Sequence, residues 1–198
     1  MMLQAVKCVA VAGLLAMAGL AQASTVTFDS LTNPGDWQYT TDTYTEQGYS
    51  FAATLRTDGY SLYSFGTSNP LNADPTGATL GENYDGQALV VSRAGGGTFT
   101  LASFDLAFNA DGDNPGQVRF DYTDALGAHS TQLSFTDQYQ LHTFTFGYTG
   151  VTSFTLWDDD FQLDNVVLDA DVIAVPEPAP WTLLMLGGLV LLAWRRRA

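Results

Sequence analysis

Hydrophobic and polar residues alternate with a period of two along most of the chain between residues 24 and 174. Val118, Phe120 and Tyr122 are separated by polar residues, and the same alternation recurs around Phe144 and Phe154. Successive side chains of a strand point to opposite faces, so this pattern predicts half-buried β-strands. The same reasoning predicts strands at Thr25–Asp29, Tyr49–Thr54, Ser61–Phe65, Ala88–Ser92, Thr98–Asn109, Thr131–Phe135 and Phe161–Leu168.

Clusters of Gly, Pro, Asn and Asp separate these segments, as at Asn33–Asp36 and Asp74–Gly77. Such clusters favour turns. Many short strands at intervals of about ten residues predict an all-β protein, an antiparallel β-sandwich. Residues 24–174 are enough for one domain with its own core.

Two of the predicted strands change the face of their hydrophobic residues partway along. In Thr98–Asn109 the alternation shifts at Ala102–Ser103, and in Phe161–Leu168 it shifts at Asp164–Asn165. A shift of one residue moves every later side chain to the other face of a sheet. We therefore predict a β-bulge in each strand.

The N-terminal segment has the features of a secretory signal peptide. Lys7 is followed by an apolar run, Val9–Leu20, and then by small residues at Ala21 and Ala23. This order predicts a signal helix over residues 1–23, export through the general secretion machinery, and cleavage by signal peptidase before Ser24. The single cysteine lies within this segment, so the mature chain is predicted to have no disulfide.

The C-terminal segment, residues 175–198, has an apolar stretch between two distinctive flanks. Trp181–Trp194 is uncharged and 14 residues long, which is about 21 Å as a helix. The hydrocarbon core of a bilayer is thicker, about 30 Å. We predict a short transmembrane helix that anchors the protein temporarily, preceded by Pro176, Glu177 and Pro178 and followed by Arg195, Arg196 and Arg197.

This order of motif, short helix and basic end resembles the PEP-CTERM sorting signal of Gram-negative bacteria, many of which make exopolysaccharide. In that family a membrane protease-transpeptidase, exosortase, processes the tail at the PEP motif. The resemblance implies exosortase as a partner and transient anchoring in the inner membrane. The mature protein would then reach the cell surface or the extracellular matrix. The segment from Asp160 to Asp164 is also similar to the QFxxD pattern of one PEP-CTERM subgroup, with Asp160 in place of the Gln.

The body of the protein is strongly acidic. Residues 24–174 hold 20 of the 21 acidic residues, against three arginines, and the whole chain has a formal charge of −14. A surface of this sign repels nucleic acid and anionic lipid. Cations and neutral glycans are the partners that this charge favours.

The first and last strands of the body resemble those of jelly-roll domains of the galactose-binding, carbohydrate-binding-module and MAM type. The resemblance rests on "TVTFDSL" at the start and "FQLDNVVLD" at the end. It implies a jelly-roll-like sandwich and a structural Ca²⁺ held by Asp29 and Asp164. On the residues alone, Asp29 caps a turn and Asp164 accepts backbone N–H bonds.

Other acidic and basic positions point less clearly to a site. The run Asp158–Asp160 is either solvated in a loop or shares a cation, and Asp111–Asp113 is interpreted as a turn, since the position of a bidentate Glu is taken by Tyr122. His129 and His142 are interpreted as surface residues.

We predict no enzymatic activity, with a glycan hydrolase that uses two carboxylates as the alternative.

Exposed aromatic side chains are the predicted ligand-binding residues. Trp37 and Tyr39 lie in a stretch too polar to be core throughout, and Trp157 precedes the Asp158–Asp160 run. Aromatic rings offer flat faces against which sugars stack. We therefore expect a non-catalytic protein of the surface or matrix that associates with exopolysaccharide. A structural or adhesion coat protein is a further alternative.

Overall fold

The computed structural model describes residues 23–54, 58–83, 86–108, 116–135, 139–157 and 161–169. These residues contain thirteen strands, one 3-10 turn at Asp29–Leu31 and no α-helix. In chain order the strands are β1 (Ser24–Val26), β2 (Trp37–Tyr39), β3 (Thr43–Glu46), β4 (Tyr49–Ala53), β5 (Leu62–Phe65), β6 (Leu80–Glu82), β7 (Ala88–Arg93), β8 (Phe99–Phe108), β9 (Gly116–Asp124), β10 (Gly127–Phe135), β11 (His142–Val151), β12 (Ser153–Trp157) and β13 (Phe161–Leu168).

The strands form two sheets, and within each sheet all paired strands are antiparallel. Sheet A has the order β11-β8-β13-β6-β5-β2, and β1 also pairs with β13. Sheet B has the order β10-β9-β12-β7-β4-β3. The sandwich-like, antiparallel all-β architecture predicted from the alternation is confirmed.

The core between the two sheets is built largely of aromatic rings. The ring centroid of Phe104 lies 5.7 Å from that of Phe120, 4.8 Å from Phe146 and 5.6 Å from Phe154. Phe104, Phe120 and Phe154 are completely buried. Burial of one such ring contributes about 1.5–3 kcal/mol to the stability of the fold. This cluster therefore contributes much of the free energy that holds the two sheets together.

Both predicted changes of face are present. In β8, Phe99 and Leu101 are buried, and so is Phe104 after the shift at Ala102–Ser103. In β13, Asp164 pairs with Asp105, but the next paired residue is Val167, opposite Ser103. Asn165 lies between them with φ of 47°, a left-handed conformation that asparagine tolerates better than most residues. The β13 irregularity is therefore the predicted bulge.

Some strand predictions were wrong in extent or missing. The strand predicted at Thr25–Asp29 ends at Val26, because Phe28 takes a φ of 55° and leads into the 3-10 turn. Strands β2, β3 and β6 had not been predicted. Each has three or four residues, and β2 is exposed along its whole length, so its pattern does not alternate.

Many side chains of sheet B that point away from the core are small and carry hydroxyl groups, and the larger ones include Arg119, Gln132 and Trp157. They alternate along each strand with core residues such as Phe51, Val91 and Leu156. One row across the six strands reads Thr45, Ser50, Ser92, Ser153, Thr123 and Ala128. The next row reads Thr43, Ala52, Val90, Thr155, Asp121 and Ser130. We call this surface the hydroxyl face.

The predicted signal helix and C-terminal helix both lie outside the described residues. Within the described ranges, no helix has the length and apolar character needed to cross a membrane. Ser24, the predicted mature N-terminus, begins β1 and pairs with Leu168 near the end of β13. The first and last strands of the domain are therefore neighbours.

Candidate functional site

Three exposed aromatic side chains lie together at one edge of sheet A. Trp37 and Tyr39 belong to β2, the edge strand, and Tyr60 precedes β5. Their exposed fractions are 62%, 41% and 55%. The fourth large hydrophobic side chain exposed among the described residues is Leu126, in the turn between β9 and β10. We call Trp37, Tyr39 and Tyr60 the aromatic surface.

The rings of the aromatic surface form a corner. The Trp37 and Tyr39 centroids are 6.4 Å apart and their planes differ by 35°, so the two rings present neighbouring faces. Tyr60 lies 5.4 Å from Tyr39 at 88°. Trp37 also contacts Tyr63 of β5 edge-on, at 6.3 Å. The result is a short aromatic strip with a perpendicular ring beside it.

The buried Tyr63 lies beside this corner on the same face of sheet A and supports it. Tyr63 is directly opposite Tyr39 in the register of β2 and β5, and Gly81 of β6 is opposite Tyr63. The Tyr63 ring covers Gly81 so closely that a Cβ there would lie 2.8 Å from its Cζ. A larger residue at position 81 would displace the Tyr63 ring, so glycine at that position keeps the support in place.

Hydrogen bonds fix the two segments that carry the exposed rings. The N–H of Gly66 donates to the carbonyl of Asp36 at 2.8 Å, which holds the turn before Trp37. The Asp42 carboxylate accepts from the N–H groups of Gly59 and Ser61, on either side of Tyr60. A hydrogen bond from the Ser61 side chain, together with those N–H groups, holds the pKa of Asp42 below its usual value.

Four acidic residues gather on the same outer side of sheet A, beneath the loop between β5 and β6. Asp164 of β13 is 1% exposed and is opposite Asp105 of β8. Asp29 comes from the 3-10 turn and Asp74 from the loop itself. We call these four residues the acidic cluster.

The loop that covers the cluster is attached to β13 through Gln162. The Gln162 Oε1 accepts hydrogen bonds from the N–H of Ala73 at 2.9 Å and from the Thr79 hydroxyl at 2.7 Å. Its Nε2 donates to the carbonyl of Leu71 at 2.7 Å. Gln162 is completely buried, and an unmade hydrogen bond at a buried polar group costs about 1–3 kcal/mol. These contacts explain why Asp74 stays close to Asp164.

Electrostatics within the acidic cluster are unfavourable for an ionised Asp164. Burial raises the pKa of Asp164 to about 8, and the charges of Asp74, Asp105 and Asp29 add to the effect. The N–H of Asn165 donates to Asp164 Oδ1 at 2.7 Å, and this hydrogen bond lowers the pKa of Asp164 and so partly offsets the increase. The residues alone, without the jelly-roll resemblance, predict that Asp164 accepts a backbone N–H, and this hydrogen bond is present.

Asp29 and Asp74 approach each other at Gly77. Asp29 Oδ1 and Asp74 Oδ2 both lie within 2.5 Å of the position that a Cβ on Gly77 would occupy. Among the described residues, no group of three acidic, histidine or cysteine side chains is already arranged as a metal site. The chemistry of the cluster, which is negative, buried and rich in oxygen atoms, nevertheless fits the hard cations that prefer carboxylate ligands.

Trp157 lies on the other sheet, away from Trp37 and Tyr39. Its Nε1 donates to Asp121 Oδ2 at 2.7 Å, and the guanidinium carbon of Arg119 lies 4.2 Å from its ring centroid. The three predicted ligand-binding residues therefore do not form one site. The Asp158–Asp160 run that follows Trp157 is outside the described residues, as is Asp111–Asp113.

The two histidines lie near the edges of the sandwich. His129 Nε2 is 3.1 Å from Asp124 Oδ1, and its ring is stacked on Tyr122 with centroids 4.5 Å apart. A hydrogen bond with His129 lowers the pKa of Asp124. The exposed His142 packs edge-on against Phe144 at 4.9 Å.

The predicted sorting and processing residues fall outside the described residues, apart from Ala23, which lies exposed just before β1. Those outside are Ala21, Pro176, Glu177, Pro178, Arg195, Arg196 and Arg197. Their roles remain predictions.

Sequence reasoning missed three residues of these clusters. Tyr60 joins Trp37 and Tyr39 only because β5 pairs with β2, and Asp74 reaches Asp164 only because Gln162 anchors its loop. Asp105 could have been found, since the alternation places it on the outer face of β8. Its pairing with Asp164 depends on the register between two strands far apart in sequence.

No protein-family model matches this sequence, and no curated protein matches it. Among solved structures, the chain is similar to the C-terminal domain of a chitobiase from Bacteroides fragilis. The alignment covers 73% of this chain and 99% of that domain, with 10% sequence identity and a TM-score of 0.32. A likeness of this degree transfers neither a ligand nor an activity to this chain.

Proposed function

We propose that this chain is an exported, non-catalytic glycan-binding protein that associates with exopolysaccharide at the cell surface or in the extracellular matrix. The observation that carries the proposal is the aromatic surface of Trp37, Tyr39 and Tyr60. Exposing three large rings to water is unfavourable, because each leaves apolar area unburied. A contiguous exposed group of this kind is the expected signature of an interaction site.

The shape and charge of this surface favour sugars over other apolar ligands. Trp37 and Tyr39 offer neighbouring ring faces, and the C–H groups on one side of a pyranose pack against such faces. Tyr39 and Tyr60 also carry phenolic hydroxyls that exchange hydrogen bonds with sugar hydroxyls. The chain's charge of −14 disfavours anionic polymers such as nucleic acid.

The proposal includes the sorting route suggested by the ends of the sequence. Signal peptidase and the general secretion machinery would export the chain, and the C-terminal helix would hold it at the inner membrane of a Gram-negative bacterium. Exosortase would then process the tail at Pro176–Pro178. The finer description of the body as a jelly roll is part of the same proposal.

We also propose that a structural Ca²⁺ binds at the acidic cluster. Asp29 and Asp164, with Asp74 added from the structure, would hold the ion. Calcium takes oxygen ligands, largely from carboxylates and carbonyls. Its charge would remove the repulsion that raises the pKa of Asp164, and it would fasten the β5–β6 loop to β13.

The hydrolase alternative is less well supported by the position of these acids. Asp164, the carboxyl with the most strongly raised pKa, is 1% exposed and lies under the β5–β6 loop. A general acid must reach the glycosidic oxygen of its substrate. Asp164 has no such access, so we assign the acidic cluster to structure rather than to catalysis.

A binding assay with matched variants tests the proposal. Full-length wild-type protein and Trp37→Ala would be run through native gels containing hydroxyethyl cellulose, dextran or exopolysaccharide extracted from the native cells. Loss of one stacking ring costs about 0.5–1.5 kcal/mol, so we expect binding, measured by retardation, to weaken roughly twofold to twelvefold. Leu126→Ala, which removes an exposed side chain elsewhere, is the control.

The outcome separates the candidate functions. Retardation that is reduced in Trp37→Ala and unchanged in Leu126→Ala supports binding at the aromatic surface. Equal retardation of all three proteins would refute it. Release of shorter glycans during the assay would favour the hydrolase, and no interaction with any of the three polymers would favour a structural coat protein.

A further inference from the structure

The hydroxyl face of sheet B is unusual for so acidic a protein, because it carries almost no charge. Along the described parts of the six strands, the outward positions include two ionisable residues, Arg119 and Asp121. Arg119 Nε lies 3.3 Å from Asp121 Oδ2, so their charges offset each other. The chain has 21 acidic residues in all, and a soluble protein normally spreads its charges over every face.

The uncharged area is also broad. Six antiparallel strands at about 4.8 Å spacing give rows roughly 24 Å wide. The row through Ser92 contains five hydroxyl side chains in six positions. Hydroxyl groups both donate and accept hydrogen bonds, so the surface matches a partner that presents many hydroxyls and no charge.

One part of this face holds a fixed group of polar side chains around a ring. Asp121 accepts from Trp157 Nε1 at 2.7 Å and from the Ser130 hydroxyl at 2.5 Å. Arg119 lies over the Trp157 ring. Beside this group lies a shallow concavity of about 360 Å³, lined by Arg119, Asp121, Tyr122, Thr123, Ala128, His129 and Ser130. The side chains are already oriented, which reduces the entropy lost when a ligand binds.

We propose that the hydroxyl face is a second glycan-binding surface, which takes an extended neutral polysaccharide in the concavity beside Trp157. The two outer faces of a sandwich point in opposite directions, so this face is turned away from the aromatic surface on sheet A. One molecule therefore binds two glycan chains and cross-links them. The cross-linking part rests on the proposed function, whereas binding at the hydroxyl face stands on its own observations.

Charge complementarity identifies the occupant. At a low ionic strength of about 0.01 M the Debye length is about 30 Å, so an anionic polymer at this face would still meet the repulsion of a chain with charge −14. A neutral polymer meets none. A pair of polymers that share one backbone, hydroxyethyl cellulose and carboxymethyl cellulose, isolates this effect.

The test places negative charge on the hydroxyl face. Thr123→Glu/Gln132→Glu changes two exposed outward positions of sheet B, and Thr145→Glu/Thr149→Glu makes the same change at exposed positions of β11 in sheet A. Both are compared with wild type and Trp37→Ala, using full-length protein. Retardation in native gels measures binding to hydroxyethyl cellulose, dextran or extracted exopolysaccharide, and turbidity measures cross-linking.

We expect wild type to produce turbidity that rises and then falls as protein is added, and to bind the anionic polymer less. Thr123→Glu/Gln132→Glu should bind the neutral polymer several-fold more weakly and produce no turbidity, because a molecule with one working site cannot bridge two chains. The sheet A double variant should behave as wild type. Trp37→Ala should also lose turbidity but keep binding at the hydroxyl face.

Failure of this inference is distinguishable from failure of the proposed function. Retardation and turbidity unchanged in Thr123→Glu/Gln132→Glu would overturn the second site, as would no retardation of wild type by any of the neutral polymers. Conversion of a dimer to a monomer by this variant in sedimentation without polymer would also overturn it, since the face would then bind a second copy. An unaffected Trp37→Ala, with binding lost in Thr123→Glu/Gln132→Glu, would overturn the aromatic surface alone.

Discussion

Gly77 allows two carboxylates of the acidic cluster, those of Asp29 and Asp74, to lie against its Cα. Asp29 and Asp74 both have an oxygen within 2.5 Å of the place where a Cβ would lie. Every other residue type has a Cβ that would collide with these oxygen atoms. Position 77 therefore requires glycine because of the space available and not because of a positive φ. The acidic cluster therefore depends on a residue that carries no charge.

Gly77→Ala should destabilise the protein and weaken its response to calcium. The added methyl group displaces Asp29, Asp74 or both, and overpacking of this kind costs about 1–3 kcal/mol. Thermal melts in calcium and in chelator would show it. Gly95→Ala is the matched control, because its Cβ would meet no atom within 4 Å. Equal melting temperatures for the two variants would contradict this account of the cluster.

Asp164→Asn should have opposite effects in chelator and in calcium. Without a cation the buried carboxyl, with its pKa raised to about 8, must take up a proton or remain charged near other acids at pH 7. The neutral amide avoids this, so in chelator we expect the Asp164→Asn variant to be more stable than wild type at pH 7 by up to roughly 4 kcal/mol. In calcium the wild type should gain stability and the variant should not.

Calorimetric melts of both proteins with and without Ca²⁺ would check this prediction. Asp36→Asn, at an exposed turn position, serves as the control for removing one negative charge. A wild type that melts at the same temperature in calcium and in chelator would eliminate the metal site.

At the scale of elements, β13 organises the outer side of sheet A. One strand supplies Gln162 to hold the loop, Asp164 to the acidic cluster and Asn165 to the bulge. Its C-terminal end is fixed by Asp169, which accepts hydrogen bonds from the Tyr49 hydroxyl, from Arg93 Nη2 and from the N–H of Thr100. These contacts join β13 to β4 and β7 of sheet B.

Asp169→Asn should lower stability at neutral pH and reduce the loss of stability in acid. Burial raises the pKa of Asp169, but hydrogen bonds from Tyr49, Thr100 and Arg93 outweigh it and hold the pKa below its usual value. A carboxylate with a lowered pKa stabilises the fold above its unfolded pKa, and this contribution disappears as pH falls through the folded value. The wild type should therefore lose stability between about pH 5 and pH 2 more steeply than the variant.

Urea unfolding at a series of pH values would measure the difference. Asp36→Asn, at an exposed turn, is the control. If the free energies of unfolding of wild type and Asp169→Asn changed equally with pH, the charge of Asp169 would not contribute to stability, and this prediction would be wrong.

The alternation of the sequence predicted the long strands and both bulges, because those features depend on which face each residue occupies. Phe99, Leu101 and Phe104 reveal the shift in β8 without any knowledge of its partners. The short strands β2 and β6 were missed because they form only when a neighbour supplies the register. Tyr60 and Asp74 were missed for the same reason, since each reaches its cluster through contacts between distant segments.

At the scale of the whole molecule, the proposed sorting route makes a prediction about mass. Protein purified from the native cells should begin at Ser24 and should have lost Arg195–Arg197, because the signal peptide and the tail are both removed. Intact-mass measurement would check both ends at once. Replacing Pro176 and Pro178 with Ala should leave the tail in place, because recognition requires the motif. Mature protein that retains its three terminal arginines would contradict exosortase processing.

The pairing of Ser24 with Leu168 has a mechanical consequence. In this antiparallel pair the start of β1 and the end of β13 lie side by side, so opposite pulls on the two ends would open the three paired positions one after another, like a zipper. A pull between the C-terminal end and a polymer held on sheet B would instead load the Asp169 contacts with Tyr49 and Arg93 together with the aromatic core between the sheets. We therefore expect the domain to resist tension transmitted from bound polymer far better than tension applied across its own two ends.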